Sequence, residues 1–168
     1  MTDSSGGNEF LIIPDAEPGA DGIFERAVIP MTTNILFPYI VSPIALNTAQ
    51  AISGAAHASD NAETVIALGV HSLGKLEFDA EDFFTMGTEV ALGRSLRMPD
   101  GVQNVLAQGR RRVEVVEFIQ TVPYIRARVR AVQEDDPEVE STAMMKMAVN
   151  LLKRVIDLND LIPRCSHL

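Results

Sequence analysis

The sequence predicts a mainly β fold with helices, of the α+β class: a small, partly closed barrel of about six strands followed by a C-terminal helix. Three observations carry this expectation. Tyr124 to Val132 alternates cleanly, with Ile125, Ala127, Val129 and Ala131 on one face and Arg126, Arg128 and Arg130 on the other. Val102 to Phe118 alternates through Val113 and Val115, then changes phase at Val116 and Phe118, as a bulged or bent strand does. Farther on, Met144, Met147, Leu151, Val155 and Leu158 recur at intervals of three and four, which is one apolar stripe of a helix.

Residues 1–22 are rich in Gly, Ser, Asp and Pro with one apolar island, Phe10 to Ile13, and are expected to form a mobile acidic leader. The domain proper runs over 23–134. Arg26 to Met31 reads as a strand, and Thr32 to Tyr39 as a loop, because Pro38 turns Phe37 away from helix. Ile40 to Leu46 is a second strand, placed on an edge by Pro43, which cannot donate to a ladder. Asn47 is the expected N-cap of an alanine-rich helix to about Ala58, with Gln50 as its capping-box partner. Glu63 to Val70 is a buried strand by its β-branched content. Residues 71–85 read as an acidic loop, and Glu89 to Met98 as a strand with Val90, Leu92, Leu96 and Met98 on one face and Arg94 intruding. A Pro99-Asp100-Gly101 turn follows. Residues 135–168 form a helical extension: Asp136 caps, Pro137 takes the first helical position, and Pro163 ends the helix after Ile162.

The chain has 168 residues, of which 46% are apolar and 22% charged, the composition of an ordinary globular domain large enough to bury a core. No apolar run approaches the roughly 18 residues of a membrane span, and no secretory signal opens the chain, so a membrane partner is not expected. Cys165 is the single cysteine; a reducing, cytoplasmic setting is the default expectation. The net charge of −9 is uneven: residues 94–130 hold eight arginines against three acids. That balance keeps nucleic acid as a minor option, although the arginines read first as solvated strand faces.

Five short segments stand in order along the chain: Ile29-Pro30-Met31, Leu36-Phe37-Pro38, Met86-Gly87-Thr88, Met98-Pro99-Asp100-Gly101, and Val105-Leu106-Ala107-Gln108-Gly109 with Arg110 to Arg112. Together they resemble the N-terminal, substrate-binding domain of Lon, the ATP-dependent serine protease. Their order and spacing match over roughly Ile23 to Leu161. The resemblance implies a PUA-like pseudobarrel that engages unfolded, damaged or degron-bearing proteins for quality control. It also implies that the hexameric AAA+ motor, with its ATP and magnesium, and the Ser–Lys proteolytic dyad lie elsewhere in the parent polypeptide. Partners would then be substrate proteins and other Lon subunits. The end of the chain, Leu161 to Leu168, reads as that of a fragment.

No catalytic constellation is evident. His57, His71 and His167 have no ligand spacing, and Cys165 and His167 lie beyond the last helix. Gly69 to Leu76 approaches a phosphate loop, but Leu76 stands where a magnesium-binding hydroxyl belongs. The expectation is therefore no catalytic residue, no cofactor and no metal in this chain. Candidate substrate contacts are the apolar loop Met31, Ile35, Leu36, Phe37, Pro38 and Tyr39, and the methionines Met144, Met145 and Met147. The loop either folds over the barrel end or offers a contact surface, and the methionines either pack or bind. Two other functions are open: a free-standing PUA-like RNA-binding module, or a short adaptor or ligand-binding protein of the Lon N-terminal type.

Overall fold

The computed structural model describes residues 13–72, 74–97, 103–133 and 139–158. The chain divides into two compact units, Met1–Gln133 and Glu134–Leu168. The turn at Met98 to Gly101, the cap at Asp136 and Pro137, and the stop at Pro163 lie outside the described residues.

The first unit is a six-stranded sheet closed on itself. Its strands are β1 (Ile23–Met31), β2 (Val41–Leu46), β3 (Val65–Val70), β4 (Phe83–Arg97), β5 (Gln103–Gln120) and β6 (Ile125–Ala131), in the order β2-β5-β4-β3-β1-β6 with a further β5–β6 pairing. The strand β5 makes closure possible. One of its edges pairs with β4; the other pairs first with β2 (Val41↔Gln108) and then with β6 (Val113↔Ala131). Register shifts at Val115/Glu117 and Phe118/Gln120 bend it, where the phase change of the sequence predicts them. β1 and β3 run parallel and every other pair is antiparallel.

Two apolar clusters line the two faces of this sheet. One joins Ile29, Val65, Ala67, Val90, Leu92 and Val105 to the helix α1 (Ala49–Asp60), which presents Ala51, Ala55 and Ala58. The small alanine face lets α1 lie close to the sheet. The other cluster holds Phe24, Val28, Ile66, Leu68, Phe83, Val113 and Val129, with Phe78 over it. Because β3 is buried on both faces, its sequence is continuously apolar rather than alternating.

The structure departs from the sequence expectation at several points. Thr48, not Asn47, caps α1, its hydroxyl accepting from the Ala51 N–H at 3.1 Å. Gln50 is no capping-box partner. It is buried, donates to Phe78 O (3.1 Å) and Thr121 O (2.9 Å), and accepts from the Phe78 N–H (2.8 Å). The acidic loop ends earlier, in a 3₁₀ turn over Ala80–Asp82, because Phe83 is drawn into the core and starts β4 opposite Val70. In β4, Val90 and Leu92 share a face, but a register shift between Leu92 and Ser95 releases Arg94 to an exposed position.

The expectation of a mobile leader through residue 22 fails at Ala16, which is buried. Its N–H donates to Glu89 Oε1 (2.8 Å) and its carbonyl accepts from Arg111 (2.6 Å). Glu89, fully buried in the sheet, also accepts from Thr64 Oγ1 and Arg111 Nε at 2.6 Å each. A buried carboxylate needs such saturation, since leaving it unpaired costs several kcal/mol, on the order of the domain's total stability.

In the second unit, α2 spans Val139–Leu158, and every side chain from Ala143 to Val155 is exposed. Among the described residues no helix is long and apolar enough to cross a membrane.

Candidate functional site

The loop joining β1 to β2 turns from sheet to surface at Met31 and is fixed at three points. Leu36 inserts into the core, 4% exposed, and its carbonyl accepts from Thr88 Oγ1 at 2.6 Å. Tyr39 adopts a left-handed backbone, φ 65°, unusual for a bulky residue and held here by its N–H donating to Gly109 O at 3.0 Å. The Gly109 N–H in turn donates to Ile40 O at 2.9 Å. At Gly109 the loop backbone lies so close that any Cβ would run into the Phe37 carbonyl and Pro38 Cα. Glycine is thus demanded by close approach.

So anchored, the loop displays what sequence reasoning expected it either to bury or to expose. Ile35 (68%), Phe37 (63%) and Tyr39 (81%) face solvent, with Ile40 and Val41 beside them in the chain and also exposed. Met31 and Pro38 are half-buried. Leu36, by contrast, is buried and anchors the loop.

An apolar groove of about 220 Å³ adjoins the loop. Met31, Ile35 and Leu36 form one wall, and Phe84 and Met86 of β4 the other. Phe84 (48% exposed) and Met86 (42%) were missed by sequence reasoning, which placed residues 83–85 in the acidic loop. The signal was present in Phe84-x-Met86-Gly87, an apolar alternation running into a glycine. Gly87 carries no Cβ because one would meet Ala67 O and Leu68 Cδ1 at 2.7 Å. Phe84 lies over Gly69 and against the His71 ring, 3.9 Å between centroids. Met144, Met145 and Met147 belong to the second unit, on α2, and are each exposed.

The other candidate chemistries find structural employment instead. Arg128 pairs with both Glu25 and Glu117, and Arg126 with Glu25. Arg110 pairs with Asp15, and Arg111 with Glu89. The arginine strand is thus laced to carboxylates on neighbouring strands. Lys75, in the phosphate-loop-like segment, donates to Asp82 at 2.5 Å. That hydrogen bond raises the Lys75 pKa. The Asp79 N–H, and then Lys75, hold the Asp82 carboxyl below its ordinary value. Leu76 is exposed and no α-helix begins there, so the residues present do not fit a nucleotide phosphate with its magnesium. His57 stacks on Tyr124. Among the described residues no group of three or more His, Cys, Asp or Glu could hold a metal.

Comparison with known proteins places this geometry. The family model of the substrate-binding domain of ATP-dependent protease La (Lon) matches residues 25–166. Lon protease 2 of Herpetosiphon aurantiacus is 29% identical over 150 residues, covering 88% of this chain and 18% of its own length. The Lon protease of Methylocella silvestris is 30% identical over 141 residues, covering 82% and 16%. The chain thus spans less than a fifth of the curated relatives it matches. The fold is similar to the solved N-terminal domain of a Mycobacterium avium complex Lon protease (TM-score 0.60, 20% identity, 80% of this chain and 68% of that one). It is also similar to a Lon N-terminal domain protein of Xanthomonas campestris (TM-score 0.56, 14% identity, 77% and 73%). With matching sequence over most of its length and the same mainly β sheet, this chain belongs to the Lon substrate-binding domain family.

Proposed function

We propose that the domain engages unfolded, damaged or degron-bearing polypeptides for an ATP-dependent Lon-type protease, in the cytoplasm and in the service of protein quality control. One observation carries this reading: a short loop presents Ile35, Phe37 and Tyr39 to solvent while Leu36, Thr88 and Gly109 hold its backbone rigid. Apolar anchors on a preordered backbone give low-specificity contact at small entropic cost. The groove between Ile35 and Phe84 extends that surface. In this reading the chain contributes recognition only. ATP, magnesium, the serine nucleophile and the contacts that assemble a hexamer belong to the rest of the parent protein.

RNA binding gains no support from the arginines, since their carboxylate partners already neutralise much of the stripe. Aromatic stacking platforms are also scarce in a chain with 5% aromatics and no tryptophan.

The test is a titration of labelled casein against the wild-type chain and Phe37→Ser, with circular dichroism to verify the fold. Losing an aromatic anchor at a contact centre costs roughly 2 kcal/mol, so binding should weaken about thirty-fold. Unchanged binding by a folded mutant would refute the loop as the contact. The same preparation should hydrolyse neither ATP nor peptides. ATP turnover abolished by Lys75→Ala would overturn that expectation.

A further inference from the structure

A second cleft, about 390 Å³, lies where the barrel is incompletely zipped. Pairing of β1 with β6 stops at Val28↔Ile125, so beyond it Ile29–Met31 pair with β3 alone. Among the described residues β2 likewise pairs only with β5. Pro30 and Met31 form one side of the cleft, and Pro43, Ile44 and Ala45 the other.

The backbone register identifies which groups of β2 are available. The Gly109 N–H donates to Ile40 O, so Ile40 faces β5. With a period of two, Ser42, Ile44 and Leu46 also face β5, while Val41, Pro43 and Ala45 point to the open side. Pro43, which has no N–H, fits a strand only there. The Ala45 N–H and the carbonyls of Pro43 and Ala45 are therefore presented outward. Pro43 O accepts from the Ser42 hydroxyl at 3.4 Å.

The side chains around the cleft have a consistent chemistry. Three primary amides, Asn34, Asn47 and Asn104, line it, and among the described residues none of the three has a side-chain hydrogen-bond partner. Among the described residues no charged side chain lines it either, in a chain that is 22% charged. A primary amide offers donor and acceptor together, the complement of a peptide group. The volume falls within the range of ligand clefts, roughly 300–1,000 Å³.

We propose that this cleft takes an extended, uncharged stretch of polypeptide main chain, added as a further strand on the free edge of β2 and held by the three asparagine amides. The inference rests on the reading that the domain binds polypeptides, and adds a second site that reads backbone rather than side chains. Pro43 removes one donor from the edge, which keeps pairing weak enough for release and discourages permanent sheet extension.

The probe is acetyl-Thr-Val-Thr-Val-Thr-amide, titrated into the full ¹⁵N-labelled chain beside the same peptide N-methylated at every internal peptide group, which blocks both of its edges. The unmethylated peptide should shift the Ala45 amide and the side-chain amides of Asn34, Asn47 and Asn104; the methylated one should not. Ala45→Pro should weaken binding about five-fold, the effect of one hydrogen bond. The double variant Asn34→Ala with Asn104→Ala should do at least as much, and serves if Ala45→Pro fails to fold. Equal binding of the methylated peptide, or shifts confined to residues 35–40, would overturn the cleft and leave the loop reading standing. Peptide shifts on β2 together with casein binding indifferent to Phe37→Ser would support the cleft and sink the loop.

Discussion

Gly109→Ala isolates the device that holds the β1–β2 loop. An added Cβ would sit 2.9 Å from the Phe37 carbonyl carbon, nearer still to its oxygen, and 3.2 Å from Pro38 Cα. These are backbone atoms, so no rotamer change relieves the clash. Either the loop or β5 must move, and the hydrogen bonds from Tyr39 N–H to Gly109 O and from Gly109 N–H to Ile40 O are the first to stretch. Two such bonds contribute about 2 kcal/mol net, and overpacking adds about 1–3 kcal/mol. The loss is bounded by what docking the whole loop contributes: Leu36 burial at about 2 kcal/mol plus three hydrogen bonds, including the one from Thr88. We expect a destabilisation of about 3 kcal/mol, or about 12 °C at roughly 4 °C per kcal/mol for a unit of this size. Urea denaturation and thermal melting followed by circular dichroism measure it. Casein affinity should fall alongside at temperatures where the mutant is still folded, because Phe37 and Tyr39 lose their fixed placement. A melting temperature within about 1 °C of wild type would show that the loop is not held through Gly109.

Other perturbations test the remaining framework. Glu89→Ala strands Arg111, Thr64 and the Ala16 N–H, and should cost about 3 kcal/mol in urea with faster amide exchange at Ala16; a loss below about 1 kcal/mol would mean that Arg111 simply turns to water. Gln50→Ala removes three bonds to the backbone of Phe78 and Thr121 and should cost about 2–3 kcal/mol, whereas an ordinary surface change stays within about 0.5 kcal/mol. The Asp82 carboxyl titrates below its ordinary 3.8 because the folded state favours its anion. Its contribution to the 71–82 loop is therefore complete above that value and is lost as pH falls through the depressed one. Amide exchange at Asp79, corrected for intrinsic rates, should accelerate only in that acid range, and Asp82→Asn should abolish the pH dependence.

Much of this architecture is written locally. The alternation of β6, the two-sided apolar run of β3, the edge position of β2 and the bulged β5 all follow from backbone period and residue type, which act within a few positions along the chain. The family is equally local in its evidence, since short segments keep their order. The apolar loop was legible for the same reason, although its sequence left burial and exposure equally open. Contacts between residues far apart in sequence settled the rest. Leu36 went inside where Thr88, 52 residues away, donates its hydroxyl to the Leu36 carbonyl. Gln50 left its expected cap for partners 28 and 71 residues away. Ala16 was taken out of the leader by Glu89, 73 residues on, a carboxylate whose burial no periodicity reveals. Phe84 and Met86 joined the site only because β4 runs beside β3 and under the loop. Local sequence fixes which face a side chain takes along its own strand; closure of the sheet decides what that face meets, and burial then selects the polar partners that must follow it inside.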